Sequence, residues 1–334
     1  MATLLDSIRD HLAVDVDSMD PDVASRHTAG GKLFCDMTSN QAIVYSEAVK
    51  AERAHILRDA CTTAKASGLD VEHQVADALD LLNVLLAAEI YPHLTGRVHV
   101  QTSPSKAYDT EGTIAHAKRL VAVFSSHGIP KERVCIKIPA TPESILACQY
   151  LEKIGIRTLA TCLFSLPQAL AASQAGCLYI APYFNELRVH FEPGIWKAYE
   201  DPAKEHPASA VIRSIVQAFK ARHSKTLVMP ASIVTATEVV ALVSLQPDHL
   251  TLSGAVLDKL ASTTEDVKID AVSETEVEQS ADGDINFLAD NGSALREALA
   301  ADAEATRKLA DALKIFDEME QRTKELIKTQ LSAN

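Results

Sequence analysis

The chain has 334 residues, a formal net charge of −13 and a sequence pI of about 5.4. Nucleic acids and anionic membranes are bound by clustered Lys and Arg side chains, so this acidic balance argues against both as partners. Hydrophobic residues make up 47% and charged residues 23%, which is typical of a globular chain that buries a large core without disulfides or metal ions.

Three further features predict a cytoplasmic protein. No stretch approaches the roughly 18 uncharged apolar residues of a membrane span. The first ten residues contain acids and lack an apolar run, so we expect no signal peptide. Six cysteines are scattered without a Cys-x-x-Cys pair, which is typical of free thiols in a reducing compartment.

Short strand-like runs alternate with longer helical segments along most of the chain. The eight predicted strands are His11–Asp17, Leu33–Thr38, Arg97–Thr102, Val134–Pro139, Arg157–Leu163, Cys177–Phe184, Thr226–Ala231 and His249–Leu252. Helical segments are predicted between them, for example at Asn40–Ser67, Val71–His93, Thr110–His127, Pro142–Ile154 and Ala203–Arg222.

This alternation predicts a single α/β domain over residues 1–334, with a (β/α)8 barrel of the TIM type at about 10–262. An open doubly wound sheet is the alternative, but no GxGxxG or GxxxxGK[ST] motif supports a nucleotide-binding version of it. An acidic loop is predicted at about 262–284, where eight acids accompany one lysine. An additional helical tail at about 285–331, centred on Ser293–Leu331, is expected as one or two long helices.

The fourth predicted strand carries a lysine in the phase expected to face the barrel interior. Side chains alternate across a strand, so Lys137 points away from the side occupied by Ile136 and Ile138. A buried ammonium is costly unless a carboxylate pairs with it or its pKa falls and frees the amine to attack a carbonyl. The protonated imine formed in the second case would accept electrons from a breaking carbon–carbon bond. The strand alone leaves both interpretations open.

In parallel barrels, reactive groups gather at the carboxyl ends of the strands. The predicted strand ends offer several polar candidates around Lys137, namely Asp15 and Asp17, Asn40, Gln101, Thr161, Tyr183 and Ser232. A single strand-end Asn or Ser usually caps the next helix, so each residue alone is weak support. Their convergence on one lysine favours an active site.

Several motifs in one linear order make the chain resemble the transaldolase family. They are Asp36-Met37-Thr38-Ser39-Asn40, Ala107-Tyr108-Asp109-Thr110-Glu111-Gly112, Ile136-Lys137-Ile138-Pro139-Ala140-Thr141 and Thr161-Cys162-Leu163-Phe164-Ser165. The resemblance extends from about Asp15 to the last helix. It implies a barrel enzyme that forms a Schiff base with a ketose or small ketone, acts with aldehydes and needs no cofactor.

The resemblance also implies roles for individual residues. Lys137 matches the Schiff-base lysine, and Asp15 is the better match for the first-strand acid that holds hydroxyls or moves a proton. Asn40 and Ser232 match residues that bind substrate hydroxyls, and Thr161 matches the threonine of strand five.

Two positions differ from transaldolases and are similar to the related fructose-6-phosphate aldolases. Gln101 stands where transaldolases have Glu, and Tyr183 stands where they have Phe. In the aldolase subgroup, the corresponding Gln and Thr hold a water while the Tyr hydroxyl moves the proton, which here implies Gln101, Thr161 and Tyr183. Ala181-Pro182-Tyr183 is similar to the sixth strand of that subgroup, so Ala181 is expected at the substrate site.

The residues expected to bind a substrate phosphate are altered. Both groups place an Arg after strand six and a basic residue after the Ser of strand seven, where this chain has Glu186 and Val234. A carboxylate would repel a phosphate, and charge-assisted Arg–phosphate bonds would be lost. Arg188 is the candidate replacement if the loop follows a different path. Otherwise the resemblance predicts a substrate without a phosphate.

Three functions therefore stand as hypotheses: an aldolase that cleaves or adds a small ketone donor, a true transaldolase that moves a ketol unit between sugar phosphates, and a non-catalytic sugar- or partner-binding barrel. No metal site is expected, because His190-Phe191-Glu192 lacks partners at ligand spacing. The helical tail is compatible with a homodimer or with a cover over the barrel mouth.

Overall fold

Eight parallel strands form the centre of the protein in the computed structural model, which describes residues 2–264 and 285–333. The strands are β1 (Ala13–Asp17), β2 (Met37–Thr38), β3 (Val98–Gln101), β4 (Val134–Pro139), β5 (Arg157–Leu163), β6 (Tyr179–Pro182), β7 (Leu227–Val228) and β8 (His249–Leu252). They pair in the order β7-β6-β5-β4-β3-β2-β1-β8. The amide of Asp248 donates to the carbonyl of Val228 at 3.0 Å, which brings the start of β8 against β7. The predicted TIM-type barrel is confirmed.

Fourteen α-helices in the described ranges surround and extend this barrel. They are α1 (Leu4–Arg9), α2 (Pro21–Thr28), α3 (Gln41–Ala48), α4 (Ala54–Lys65), α5 (Val71–Ile90), α6 (Thr110–Ser126), α7 (Pro142–Lys153), α8 (Leu166–Ala175), α9 (Pro202–Glu205), α10 (Pro207–Ala221), α11 (Ala236–Ser244), α12 (Gly254–Ser262), α13 (Ser293–Ala301) and α14 (Ala303–Ala333).

The bounds of β4, β5 and β8 agree with the prediction, whereas the other five strands are shorter, and β2 and β7 have only two residues each. The seventh strand is short because Pro230 has no backbone N–H to donate to a neighbouring strand and because Ser232 adopts a positive φ of 60°. In the second, Phe34 forms only an isolated bridge with Leu94 before regular pairing begins at Met37.

Two predicted helices are each divided. Asn40–Ser67 contains α3 and α4, separated by a 3₁₀ turn at Ala51–Arg53. Lys50 Nζ lies 2.8 Å from a carboxylate oxygen of Asp20, which ties this turn to α2. Ala203–Arg222 contains α9 and α10, because Pro207 begins a new helix after the extended residue His206.

The C-terminal tail forms two helices, as one of the expected alternatives, and α14 packs against α3, α4 and α5. The acidic loop predicted at about 262–284 lies almost wholly outside the described residues. No described helix is long and apolar enough to cross a membrane.

Candidate active site

A cavity of about 250 Å³ opens at the carboxyl ends of the barrel strands and contains Lys137. Asp17, at the end of β1, and Thr251, in β8, form part of its inner wall. Residues of α3, the segment after β6 and the segment after β7 complete the lining. The cavity therefore occupies the position expected for the active site of a parallel barrel.

Lys137 is almost completely buried, with 2% of its surface exposed. Burial lowers the pKa of its ammonium group, and the attraction of Asp17 opposes this shift without reversing it. Among the described residues, no carboxylate forms an ion pair with the amine. The structure thus favours an amine available in a cavity over a lysine held by an interior carboxylate.

Asp17 is held beside Lys137 by two threonines from neighbouring strands. The hydroxyl of Thr38 donates to Asp17 Oδ1 at 2.7 Å, and it lies 2.5 Å from the hydroxyl of Thr251. Because Thr38 uses its proton toward Asp17, Thr251 donates to Thr38. This chain of hydroxyl groups orients the carboxylate toward the cavity.

Asp15 occupies a different place from the one expected for the first-strand acid. It lies two residues, or about 6.6 Å, before Asp17 along β1 and does not line the cavity. Its carboxylate accepts from the backbone N–H of Asp36 at 2.8 Å and lies 2.9 Å from His249 Nδ1. Both side chains share the interior phase, but Asp17 lines the cavity and Asp15 does not, in contrast to the position expected for Asp15.

Asp15 belongs to a buried polar layer beneath the cavity, which consists of Asp15, Asp36, His99, Tyr179 and His249. His99 Nε2 lies 2.7 Å from Asp36, and Tyr179 packs between the two histidines at ring distances of 5.3 and 5.2 Å. Burial is the largest influence on the pKa of Asp36 and would raise it. The hydrogen bond and charge of His99, with hydrogen bonds from the Arg97 amide and the Tyr179 hydroxyl, together outweigh burial, so the net shift of the pKa is downward. The layer forms a hydrogen-bonded support beneath the cavity, in which His99 Nδ1 is the buried atom without a partner among the described residues.

One group of possible metal ligands lies at the edge of this layer. Ligand-type atoms of Asp15, Cys35 and His249 lie within 4.8 Å of one another. The carboxylate of Asp15 already contacts His249 and the Asp36 amide, and burial raises the pKa of the Cys35 thiol to about 12. A protonated thiol is a poor ligand, so the group is better explained as part of the support.

Tyr183, just after β6, lines the cavity, and its phenol oxygen accepts a hydrogen bond of 3.2 Å from Thr161. Burial raises the pKa of Tyr183 well above its ordinary value, so the phenol keeps its proton. Gln101 is also buried, and its amide oxygen and nitrogen have no partner among the described residues. Its side chain faces a small second cavity that shares Asn40 with the first. A bridging water or a substrate hydroxyl would satisfy such an amide.

Asn40 and Ser232 both line the cavity, with different local roles. Asn40 is the N-cap of α3, and its Oδ1 accepts from the amides of Ala42 and Ile43 at 2.9 and 3.1 Å. Ser232 caps no helix, since Thr235 is the N-cap of α11. The Ser232 hydroxyl instead lies 2.9 Å from His190 Nε2.

Ala181 and Arg188 do not line the cavity, in contrast to their expected part in substrate binding. Ala181 is buried within β6. Arg188 forms two hydrogen bonds with Glu192, at 3.2 and 3.0 Å, and its guanidinium also lies 3.9 Å from Asp311 of α14. The guanidinium is therefore paired with carboxylates outside the cavity.

Thr38 was among the polar strand-end residues expected near Lys137, whereas His190 and Thr251 were not expected at the site. Thr251 lies near the end of β8, so the strand-end rule that identified other residues could have included it. His190 lies in a 3₁₀ turn, Leu187–His190, whose path depends on packing with α14 and has no local signal in the sequence.

Comparisons with known proteins agree with this geometry. A family model described as Transaldolase/Fructose-6-phosphate aldolase matches residues 14–327. A protein named Transaldolase from Alteromonas mediterranea is 31% identical over 337 aligned residues, covering 100% of both chains. Transaldolases of Saccharomyces cerevisiae and Aliivibrio salmonicida are 33% and 32% identical, covering 84% and 80% of this chain and 82% of each relative. With its barrel, its buried strand-four lysine and this match over nearly all its length, the chain belongs to the transaldolase/fructose-6-phosphate aldolase family.

Proposed function

We propose that this enzyme makes and breaks carbon–carbon bonds through a Schiff base between Lys137 and a ketose or small ketone donor. The observation that carries the proposal is the amine of Lys137, which is buried in a cavity beside Asp17 and forms no ion pair with any described residue. Burial lowers the pKa of Lys137, which favours the unprotonated amine that attacks a carbonyl.

The chemistry requires no external reactant beyond the substrates. The amine adds to the ketone carbonyl, and loss of one water gives a protonated imine. When a substrate hydroxyl loses its proton, the adjacent carbon–carbon bond breaks, an aldehyde leaves, and the bond electrons enter the imine as an enamine. Protonation of the enamine carbon and addition of water then release the donor and restore the lysine.

Tyr183 supplies the proton for this cycle in our proposal, through a water held by Gln101 and Thr161. Its phenol remains protonated because burial raises its pKa, and Thr161 fixes its position. Gln101 cannot titrate, so it serves to hold the water. Asp17 accepts hydrogen bonds from substrate hydroxyls or receives their proton.

The charged residues beside the cavity-lining segment after β6 support a substrate without a phosphate. Arg307 of α14 lies 2.8 Å from Glu186, 2.9 Å from Glu304 and 2.9 Å from Asp311. Arg188 pairs with Glu192 in the same cluster. The guanidinium groups of Arg188 and Arg307 are therefore paired with carboxylates and are not free to bind a phosphate dianion. Lys137 is the cation that lines the cavity, and it is needed for the imine.

A second candidate is ketol transfer between two sugars, which the name Transaldolase of the relatives favours. Both reactions use the Lys137 imine and differ in its fate. In the aldolase the enamine is protonated and released, whereas in the transferase it waits for a second aldehyde. We place either reaction in the cytoplasm, consistent with six cysteines that all remain free thiols.

The test is to incubate the protein with dihydroxyacetone, reduce with borohydride and locate the mass adduct. We expect it on Lys137, absent in Lys137→Met and retained in the control Lys153→Met, which removes an exposed lysine of α7. No adduct in the wild type would leave the non-catalytic binding protein as the better explanation. Rates of fructose cleavage and of ketol transfer between phosphosugars, measured on the same preparation, then separate the two enzymes.

A further inference from the structure

His190 and Ser232 meet at the cavity wall on the side of β7, which β5 and β6 separate from β4 and Lys137. His190 Nε2 lies 2.9 Å from Ser232 Oγ. Both residues line the cavity, so the pair contacts whatever part of a substrate extends from Lys137 across the barrel mouth.

Ser232 has a strained backbone that its neighbours enforce. Its φ of 60° lies in the left-handed region, which is unfavourable for serine and persists only where surroundings impose it. The backbone N–H and Nδ2–H of Asn185 both donate to the Ser232 carbonyl, at 3.1 and 3.0 Å. Glu238 fixes both sides of this arrangement, since it accepts from Asn185 at 3.1 Å and from the Val234 amide at 2.7 Å. A strained backbone that is held by several hydrogen bonds in this way is typical of functional positions.

The pair is suited to a hydroxyl group. Burial lowers the pKa of His190, against the opposing attraction of Asp17 and Glu238, so the imidazole is neutral near neutral pH. A neutral imidazole has one donor and one acceptor nitrogen, and a serine hydroxyl can also do both. Together they complement a substrate hydroxyl, which donates and accepts, better than a phosphate, which mainly accepts.

We propose that His190, together with Ser232, is a specificity-determining residue that binds a hydroxyl of an uncharged ketose beyond the bond that is broken. The proposal rests on the proposed Schiff-base function and adds the residue that selects the distant part of the substrate. A hydroxyl-binding pair would favour substrates without a phosphate, in addition to the pairing of Arg188 and Arg307 with carboxylates.

The experiment compares His190→Phe and His190→Gln with the wild type, using fructose as the uncharged ketose. The phenyl ring keeps the bulk of the imidazole without hydrogen bonds, whereas the amide of Gln reproduces one near the position of Nε2. Loss of a neutral hydrogen bond predicts a KM for fructose roughly three- to tenfold higher in His190→Phe, largely restored in His190→Gln. The borohydride adduct with dihydroxyacetone, whose carbons all belong to the donor, should be unchanged in both.

Two further variants, Ser232→Ala and the double variant Ser232→Ala/His190→Phe, complete a double-mutant cycle. If the two residues bind one hydroxyl as a pair, the double variant raises KM no more than the larger single change. An unchanged KM for fructose in His190→Phe, or in Ser232→Ala if the former does not fold, overturns this inference while the adduct leaves the Schiff base intact. No adduct in the wild type would instead overturn the proposed function itself.

Discussion

The hydroxyl group of Thr38 lies 2.7 Å from a carboxylate oxygen of Asp17. This contact turns the last residue of β1 toward Lys137, while Asp15 remains below the cavity with His249. The two acids of one strand therefore lie in separate places, Asp17 in the cavity and Asp15 in the buried polar layer beneath it.

Asn substitutions at the two acids should distinguish their roles. Asp17→Asn removes the carboxylate that faces the substrate, and we expect kcat to fall roughly 100-fold or more with little change in stability. Asp15→Asn weakens the buried hydrogen bond with His249, and we expect unfolding to become easier by roughly 1–3 kcal/mol with the dihydroxyacetone adduct retained. Urea denaturation and steady-state kinetics measure both effects, and the reverse pattern would restore Asp15 as the reacting acid.

The pH dependence of imine formation tests the state of Lys137. Because burial lowers its pKa, the trapping rate with dihydroxyacetone should rise with pH and level off with a midpoint below the ordinary lysine value of 10.5. Asp17 raises this pKa, so Asp17→Asn should move the midpoint further down. A midpoint at or above 10.5, or an upward movement in the variant, would contradict an amine controlled by burial.

Removal of the Tyr183 hydroxyl should slow proton transfer without preventing imine formation. We expect Tyr183→Phe to lower kcat for cleavage by roughly 10²-fold or more, as for loss of a general acid, and to keep the borohydride adduct. Tyr179→Phe is the matched control, since it removes a buried hydroxyl of β6 that lies outside the cavity. Equal rates in wild type and Tyr183→Phe would assign the proton to another group.

A cation introduced after β7 should change the preference for phosphate. Val234 follows the cavity residue Ile233, so Val234→Arg places a guanidinium near the end of the cavity. We expect the kcat/KM ratio of fructose 6-phosphate to fructose to rise roughly tenfold, about the effect of one charge-assisted hydrogen bond. Ala210→Arg adds the same charge to the exposed face of α10, and it should leave the ratio unchanged. An equal rise in both variants would indicate a general effect of net charge.

His206 should make stability depend on pH. Its Nδ1 accepts from the Ala208 amide as the N-cap of α10, its ring stacks on Phe184 at 4.0 Å, and burial lowers its pKa from 6.5 to about 4. Since the folded state resists protonation, the free energy of unfolding should fall as pH decreases from about 6.5 toward 4. His206→Asn keeps a cap acceptor without titrating, so it should reduce this slope in urea denaturation at several pH values. An identical slope in the variant would assign the dependence to other groups.

The barrel was predictable from sequence because parallel strands and their helices alternate with clear differences in composition. β4 and β5 match their predicted bounds, since both are buried apolar runs that turn residues delimit. The division of Asn40–Ser67 was not predictable, because no Gly or Pro interrupts it. Ion pairs of Lys50 and Arg53 with Asp20 of a distant helix stabilise that turn, and such pairs are not visible in a local pattern.

A site residue was predictable from the sequence where its chemical type differs from that of its neighbours in the chain. Lys137 is a charged residue in an apolar strand, which a single sequence reveals. Asp15 and Asp17 share the same interior phase, so alternation could not separate them, and only the depth of each within the barrel does. Arg307 is remote in sequence from Glu186, and their contact arises from the way α14 crosses the barrel.

The buried polar layer restricts how this pocket could be redesigned. Where aliphatic side chains lie beneath a barrel cavity, replacing a leucine with a smaller residue enlarges the cavity and destabilises the protein through the space left behind. Here, truncating a side chain of the layer would leave a buried polar group without its hydrogen-bond partner. Loss of Asp15, for example, would leave His249 and the Asp36 amide unpaired. To accommodate bulkier sugars, the cavity should therefore be enlarged by smaller residues at Ile43, Leu187 or Phe191, because these substitutions remove only hydrocarbon from the lining.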